Sequence, residues 1–251
     1  MLQVSERYRA SEPKLRRLLA RLESSEGRSL YLQPSSIASF PGQSPIRAPQ
    51  SWGSTLAGVV EQVGQSDTGL IVFQTVDTTV AVVPPFPVAT DRLVDRIDAT
   101  PLVELLDSDP VIGVVLLRLG RYAVGVLRDD TLVASKTGTR HVKNRHRAGG
   151  SSQRRFERSR ERLMRELFDK TCEVVMDVFS PYDRSMDYVL MGGEQHTLRS
   201  LLQRCRYLKS LEQKTLARIL AVDRPGQRAL EGIAGEVWTS RVQVFEPINA
   251  T

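Results

Sequence analysis

Gly149-Gly150-Ser151-Ser152-Gln153 lies between two blocks of arginine and lysine, and this stretch holds the residue types best suited to chemistry. A glycine pair lets the backbone adopt positive φ and approach another chain closely. Ser151 or Ser152 can cap a helix that follows, accepting one of its unpaired N–H groups. The loop then sits at the positive end of that helix, where an anion or developing negative charge is stabilised. Gln153 adds an uncharged side chain that both donates and accepts, and can orient a water without titrating. From Lys136 to Lys170 there are twelve Lys/Arg against four Asp/Glu, a net +8. The whole 251-residue chain carries only +6, so everything outside this stretch is net −2. Charge concentrated in this way is the footprint of a phosphate backbone and favours nucleic-acid contact over a merely solvated face. The candidate nucleic-acid contacts are Arg140, Lys143, Arg145, Arg147, Arg154, Arg155 and Arg158. His141 and His146 read as phosphate or solvent contacts, not general bases.

The elements around this loop must hold it out from a core. Ahead of it, Val111–Leu119 is almost continuously apolar, Tyr122–Leu127 follows a Gly120-Arg121 turn, and Thr131–Ser135 follows Asp129-Asp130. These predict a three-stranded meander. Behind it, Phe156, Leu163, Met164, Leu167 and Phe168 mark the buried stripe of a helix over roughly 152–178, ended by Pro181. A strand at Tyr188–Met191 follows, then a helix bearing Leu198, Leu201, Leu202, Cys205 and Leu208 on one face. A strand at Leu216–Val222, a helix over 226–238 and a last strand or tail at Val242–Phe245 complete the chain. A meander followed by alternating helices and strands implies a mixed α/β (α+β) sheet with helices on its faces.

Residues 1–108 read as a smaller α+β unit, and 109–251 as the domain carrying the loop. In the first unit, Leu15, Leu18, Leu19 and Leu22 predict a helix over 4–24, and Pro13 inside the pattern leaves two pieces or a late start open. Leu30–Leu32, Leu56–Val63, Leu70–Thr75 and Thr78–Val83 are strand candidates, 33–54 is an irregular connection, and 93–106 looks helical but carries Pro101, which leaves two short helices or one that begins near 101. No chemistry is evident there.

Composition bounds the rest. A hydrophobic content of 41% and charged content of 25% suit a globular chain with a real core. No apolar run reaches the ~18–20 residues of a membrane span. The charged N-terminus lacks an apolar signal core, so a cytoplasmic protein is expected. Cys172 and Cys205 have no CxxC partner and read as two buried reduced thiols. No His/Cys/Asp/Glu cluster shows metal-ligand spacing, and no cofactor is expected. Gly192-Gly193 lacks the companions of a phosphate loop and reads as a strand-to-helix turn.

GGSSQRRFERSRERLMRE, preceded by a basic loop and a meander, resembles the catalytic middle domain of the class-1 peptide release factors of eukaryotes and archaea. The closer resemblance is to the Vms-like release factor family, in which a serine interrupts the Gly-Gly-Gln and no stop-codon-reading domain is needed. It covers about residues 109–246, and Arg155-Phe156 and Arg158 match the helix that follows the family's loop. Gly149 and Gly150 match its glycines, and Gln153 is the glutamine available for the catalytic role. Anchored on Arg155-Phe156 without a gap, the release-factor glutamine position falls instead on Ser151. The resemblance implies a ribonuclease H-like sheet and a codon-independent peptidyl-tRNA hydrolase active in ribosome rescue and translation quality control. Its partners would be the large ribosomal subunit, ribosomal RNA and peptidyl-tRNA, with the protein acting as a monomer away from membranes. The alternative is a non-catalytic ribosome- or RNA-binding factor whose basic loop only docks. A nuclease would need clustered carboxylates for divalent metal ions, and Asp129-Asp130 has no second pair beside it in the sequence.

Overall fold

The structure is a computed structural model that describes residues 2–39, 50–140 and 151–247, without side chains at 50–54 and 151–156. The chain divides into two units, Met1–Ser108 with Trp238–Thr251, and Asp109–Val237.

The first unit contains β1 (Leu2–Ala10), α1 (Glu12–Leu22), β2 (Gly27–Leu32), α2 (Pro34–Ala38), α3 (Gln50–Val63), β3 (Leu70–Thr75), β4 (Thr79–Val83), β5 (Arg92–Val94) and α4 (Thr100–Leu106). The second contains β6 (Val111–Arg118), β7 (Arg121–Arg128), β8 (Thr131–Thr139), α5 (Ser151–Phe179), β9 (Met186–Gly193), α6 (Gln195–Arg204), α7 (Arg206–Ser210), β10 (Thr215–Leu220), α8 (Gln227–Glu231) and α9 (Ala234–Val237). The chain then returns to the first unit as β11 (Ser240–Pro247).

In the first unit the strands run in the order β1-β11-β4-β3-β2-β5, with every pair antiparallel. α2 and α3 bring Ile37, Leu56, Val59, Val60 and Val63 into one core with Leu30, Leu70, Val72 and Phe245 of the sheet. Four expectations are corrected here. The helix over 4–24 is β1 followed by a shorter α1, which begins at Glu12 with Pro13 in its first turn. A proline is tolerated there because its missing N–H is one of the helix's unpaired groups anyway. The strand expected over Leu56–Val63 lies within α3. The connection over 33–54 includes α2 and the start of α3. The terminal strand expected to complete the 109–251 domain instead pairs with β1 on one side and β4 on the other.

In the second unit the order is β10-β9-β6-β7-β8. β6, β7 and β8 form the antiparallel meander, and β9 and β10 add in parallel beyond β6. This is a mixed sheet flanked by helices. Alternation assigns the two faces. Val111, Val115, Leu117, Tyr122, Val124 and Val126 pack with Leu167, Val174, Val178 and Phe179 of α5 and with Leu198 and Leu201 of α6. On the opposite face, Leu230 of α8 lies against Gly125 of β7; a Cβ there would stand 3.3 Å from its Cδ2. The helix expected over 226–238 is interrupted at Gly232 and Ile233, leaving α8 and α9.

The cysteines differ from expectation. Cys172 of α5 and Cys205, at the junction of α6 and α7, form a disulfide with Cα atoms 5.5 Å apart. The spacing of 33 residues gave no hint of it, because the pairing depends on how α5 packs on α6.

Candidate functional site

α5 is the element that presents the basic stretch. Its 29 residues extend about 43 Å at the usual helical rise of ~1.5 Å per residue. Its buried positions, Leu167, Phe168, Thr171, Val174, Val175, Val178 and Phe179, repeat at three and four and lie in its C-terminal half. Leu163 and Met164 pack partly against the same core, whereas no residue from Glu157 to Arg162 is buried. The helix is therefore anchored at one end and carries its arginines beyond the core at the other.

Those arginines are ordered by the helix itself. At about 100° per residue, positions 158, 162 and 165 fall within one arc of roughly 60°, on the side away from the buried stripe. Arg158, Arg162 and Arg165 are exposed on that arc. Arg162 Nε is 3.7 Å from Glu166 Oε1, a loose exposed pair. Arg160 falls outside the arc and is half-buried.

Several contacts fix the base of the loop. The backbone N–H of Arg140, just past β8, donates to the carbonyl of Gly120 at 2.8 Å. Gly120 adopts φ 84°, a turn conformation in which a side chain would be strained. Lys136 Nζ pairs with Asp177 Oδ2 at 3.2 Å, tying β8 to α5. Further along, Arg204 of α6 grips Asp169 of α5 with two guanidinium N–H groups, the Nη2 contact at 2.8 Å. This hydrogen bonding holds the Asp169 carboxyl below its ordinary range.

The structure places only some of the expected site residues. Ser151 and Gln153 are the first and third residues of α5, with Arg154 and Arg155 next, and the side chains of all four lie outside the described residues. Gly149, Gly150, Lys143, Arg145 and Arg147 lie outside the described residues, as do His141 and His146. Arg140 and Arg158 are described and exposed, one at the end of β8 and the other on the second turn of α5. Asp129 and Asp130 form the β7–β8 turn, with Asp129 at φ 54°. Among the described residues no group of three or more His, Cys, Asp or Glu is placed to hold a metal ion, and no helix is long and apolar enough to cross a membrane.

Residues 110–243, more than half of the chain, match the model of a family described as "Actinobacteria/chloroflexi VLRF1 release factor". The chain belongs to this VLRF1 release factor family. A peptide chain release factor subunit 1 of Methanopyrus kandleri is 30% identical over 137 residues, which cover 53% of this chain and 33% of that protein. The corresponding protein of Thermococcus sibiricus is 29% identical over 181 residues, covering 70% of this chain and 41% of its own. The chain thus spans less than half the length of these relatives. Among solved structures, the Vms1 mitochondrial localization core aligns with a TM-score of 0.43 and 11% identity, covering 92% of this chain and 94% of that one. The archaeal termination factor aRF1 aligns with a TM-score of 0.41 and 16% identity, covering 91% of this chain and 73% of that one. The family model supplies the assignment. Within it, β6–β10, α5–α9 and the first residues of β11 are the VLRF1-matching elements. Sequence reasoning missed one feature of this unit, a group of arginines at the turn into β7 and around α8, because its members are a hundred residues apart.

Proposed function

We propose that this VLRF1-family protein hydrolyses the ester joining a nascent peptide to tRNA on the large ribosomal subunit, without reading a codon. The observation that carries the reading is the union of Gly-Gly-Ser-Ser-Gln with α5, a helix that begins at Ser151 and holds its arginines beyond the core. In this reading Gly149 and Gly150 let the backbone pass close to the tRNA terminus. Gln153 orients the attacking water, and loop N–H groups complement the oxyanion. Arg140, Lys143, Arg145, Arg147, Arg154, Arg155 and Arg158 neutralise RNA phosphates. No protein side chain is asked to act as general base. Holding water and ester in place can by itself lower such a barrier by up to ~7–11 kcal/mol. The relatives named as peptide chain release factors support the reaction class.

The test is release of nascent peptide from peptidyl-tRNA on purified large subunits, comparing the protein with Gln153→Ala. Release by the wild type, lost in the variant, is expected. Release by both would move the chemistry to Ser151 and the loop backbone. Binding without release by either would make the protein a docking factor, a reading favoured by the serine that falls where the release-factor glutamine would be.

A further inference from the structure

Arg121, Arg224 and Arg228 line one concavity of about 410 Å³ on the second unit, together with Pro225, Gly226, Gln227 and Ala229. No acidic residue lines it, and none of the three arginines forms an ion pair among the described residues. Arg224 and Arg228 are exposed and Arg121 half-buried. The nearest ion pair, Arg118 with Asp223 at 3.6 Å, uses a different arginine. The helix that carries Arg228 is joined to the sheet by a side-chain hydrogen bond. Gln227 accepts from Ser135 Oγ at 3.0 Å and donates to Glu231 Oε1 at 3.1 Å, which ties α8 to β8. Its walls lack the large apolar and aromatic side chains that enclose a small molecule.

Its position connects it to the basic loop. Arg121 opposes Thr139 in the β7–β8 register, and the next residue, Arg140, bonds back to Gly120 beside it. Arg140 is thus the last described residue before the basic loop, and the cleft lies where the chain leaves β8 for it.

We propose that Arg121, Arg224 and Arg228 form a second phosphate-backbone clamp, which grips RNA at the root of the loop while the loop itself reaches the reacting ester. Three guanidiniums with no ion pair among the described residues, around one open cleft, suit phosphodiester oxygens, which arginine contacts in a bidentate manner. The inference rests on reading the loop as an element inserted into RNA. It assigns the clamp to affinity, not to the chemical step.

The test is the full-length triple variant R121Q/R224Q/R228Q, titrated onto large subunits with and without peptidyl-tRNA over a range of salt. With about 0.7–0.9 lost from the log–log salt slope per phosphate contact, the slope should become shallower by roughly two. The dissociation constant should rise at least about tenfold at low salt, while maximal release at saturating protein stays unchanged. The triple lysine variant should retain much of the slope, which separates charge from folding; matched urea midpoints give the same control. Weakened binding on vacant subunits would identify the contact as ribosomal RNA, and weakening only when tRNA is present would identify it as tRNA. Equal affinity and slope in the folded glutamine variant would overturn the clamp. A wild type that binds but releases no peptide would sink the hydrolase reading alone, since the slope comparison still decides the clamp. A wild type that fails to bind would overturn both.

Discussion

The ring of Phe179 lies directly on the backbone of Gly113: a Cβ added to that glycine would meet Cζ at 2.6 Å and Cε2 at 2.8 Å. Phe179 is the last residue of α5 and is fully buried; Gly113 belongs to the central strand β6. The contact pins the C-terminal end of α5 to the middle of the sheet and leaves the other end to carry the arginines. Gly113→Ala should therefore destabilise by about 1–3 kcal/mol through overpacking, and Phe179→Ala by about 3–5 kcal/mol through the cavity it leaves. Urea denaturation measures both. At temperatures where each variant is folded, peptide release per folded molecule should be unchanged, because neither residue belongs to the basic loop or to the arginine-bearing end of α5.

The Cys172–Cys205 disulfide fastens the same helix to the α6–α7 junction. Closing a loop of 33 residues in the unfolded chain is expected to contribute roughly 2–4 kcal/mol. Reduction, or Cys172→Ser, should lower the unfolding midpoint by a corresponding amount, and non-reducing mass analysis of the native protein should find no free thiol. Two alkylatable thiols in the folded, unreduced protein would count against the bond.

Much of the second unit was legible because its signals are local. The apolar runs and turn residues of β6–β8, and the three–four spacing behind the loop, each specify an element regardless of its neighbours. The first unit was harder to read. Leu56, Val59, Val60 and Val63 are spaced as one helical face, but their β-branched composition read as a strand; the spacing was the better signal, and all four are buried in α3. Glu6, Arg7 and Arg9 resemble the exposed side of a helix, yet they lie in β1, an edge strand with a bulge between Val4 and Glu6 whose pairing partner is more than 200 residues away. The disulfide and the Arg121–Arg224–Arg228 cleft are likewise products of long-range packing. The candidate loop was legible as composition and order, not as geometry.

The Asp169–Arg204 contact should give a pH-dependent share of stability. Its carboxyl is held below the ordinary range, chiefly by hydrogen bonding to Arg204. A carboxylate with a depressed native pKa contributes above its unfolded value, near ~3.9, and that contribution fades as pH falls through the lowered native value. Both groups are largely exposed, so the effect is small and screened by salt. Asp169→Asn should lower the urea midpoint slightly at neutral pH and converge with the wild type in strong acid. A difference that stays constant down to the acid limit would show that the charge is not responsible.

The position of the glutamine can be tested separately from its presence. Ser151 and Gln153 both lie in the first turn of α5, where two residues differ by about 200° around the axis. A glutamine at 151 is thus on nearly the opposite side of the helix from one at 153. If Gln153 positions the water, Gln153→Ala should reduce the release rate by about 10²–10³-fold, the usual loss for one transition-state donor. The double variant S151Q/Q153S should then remain as slow. Recovery of release in the double variant would show that the ribosome selects the release-factor position and that the loop, not the helix, sets the catalytic geometry.

The arginine arc of α5 yields the last expectation. Arg158, Arg162 and Arg165 are exposed on one side of a helix whose opposite side is buried. Their joint change to glutamine leaves the core untouched, and the only ion pair removed among the described residues is the loose one between Arg162 and Glu166. The unfolding midpoint should therefore hardly move. Binding to large subunits should nevertheless weaken at low salt, with the log–log salt slope reduced by up to ~0.9 for each arginine that contacts a phosphate. The maximal release rate should survive, because the variant keeps Gln153 and the glycine pair. A fall in that rate at saturating protein, without loss of affinity, would mean that the arc orients the loop in its reactive position and does not merely hold RNA.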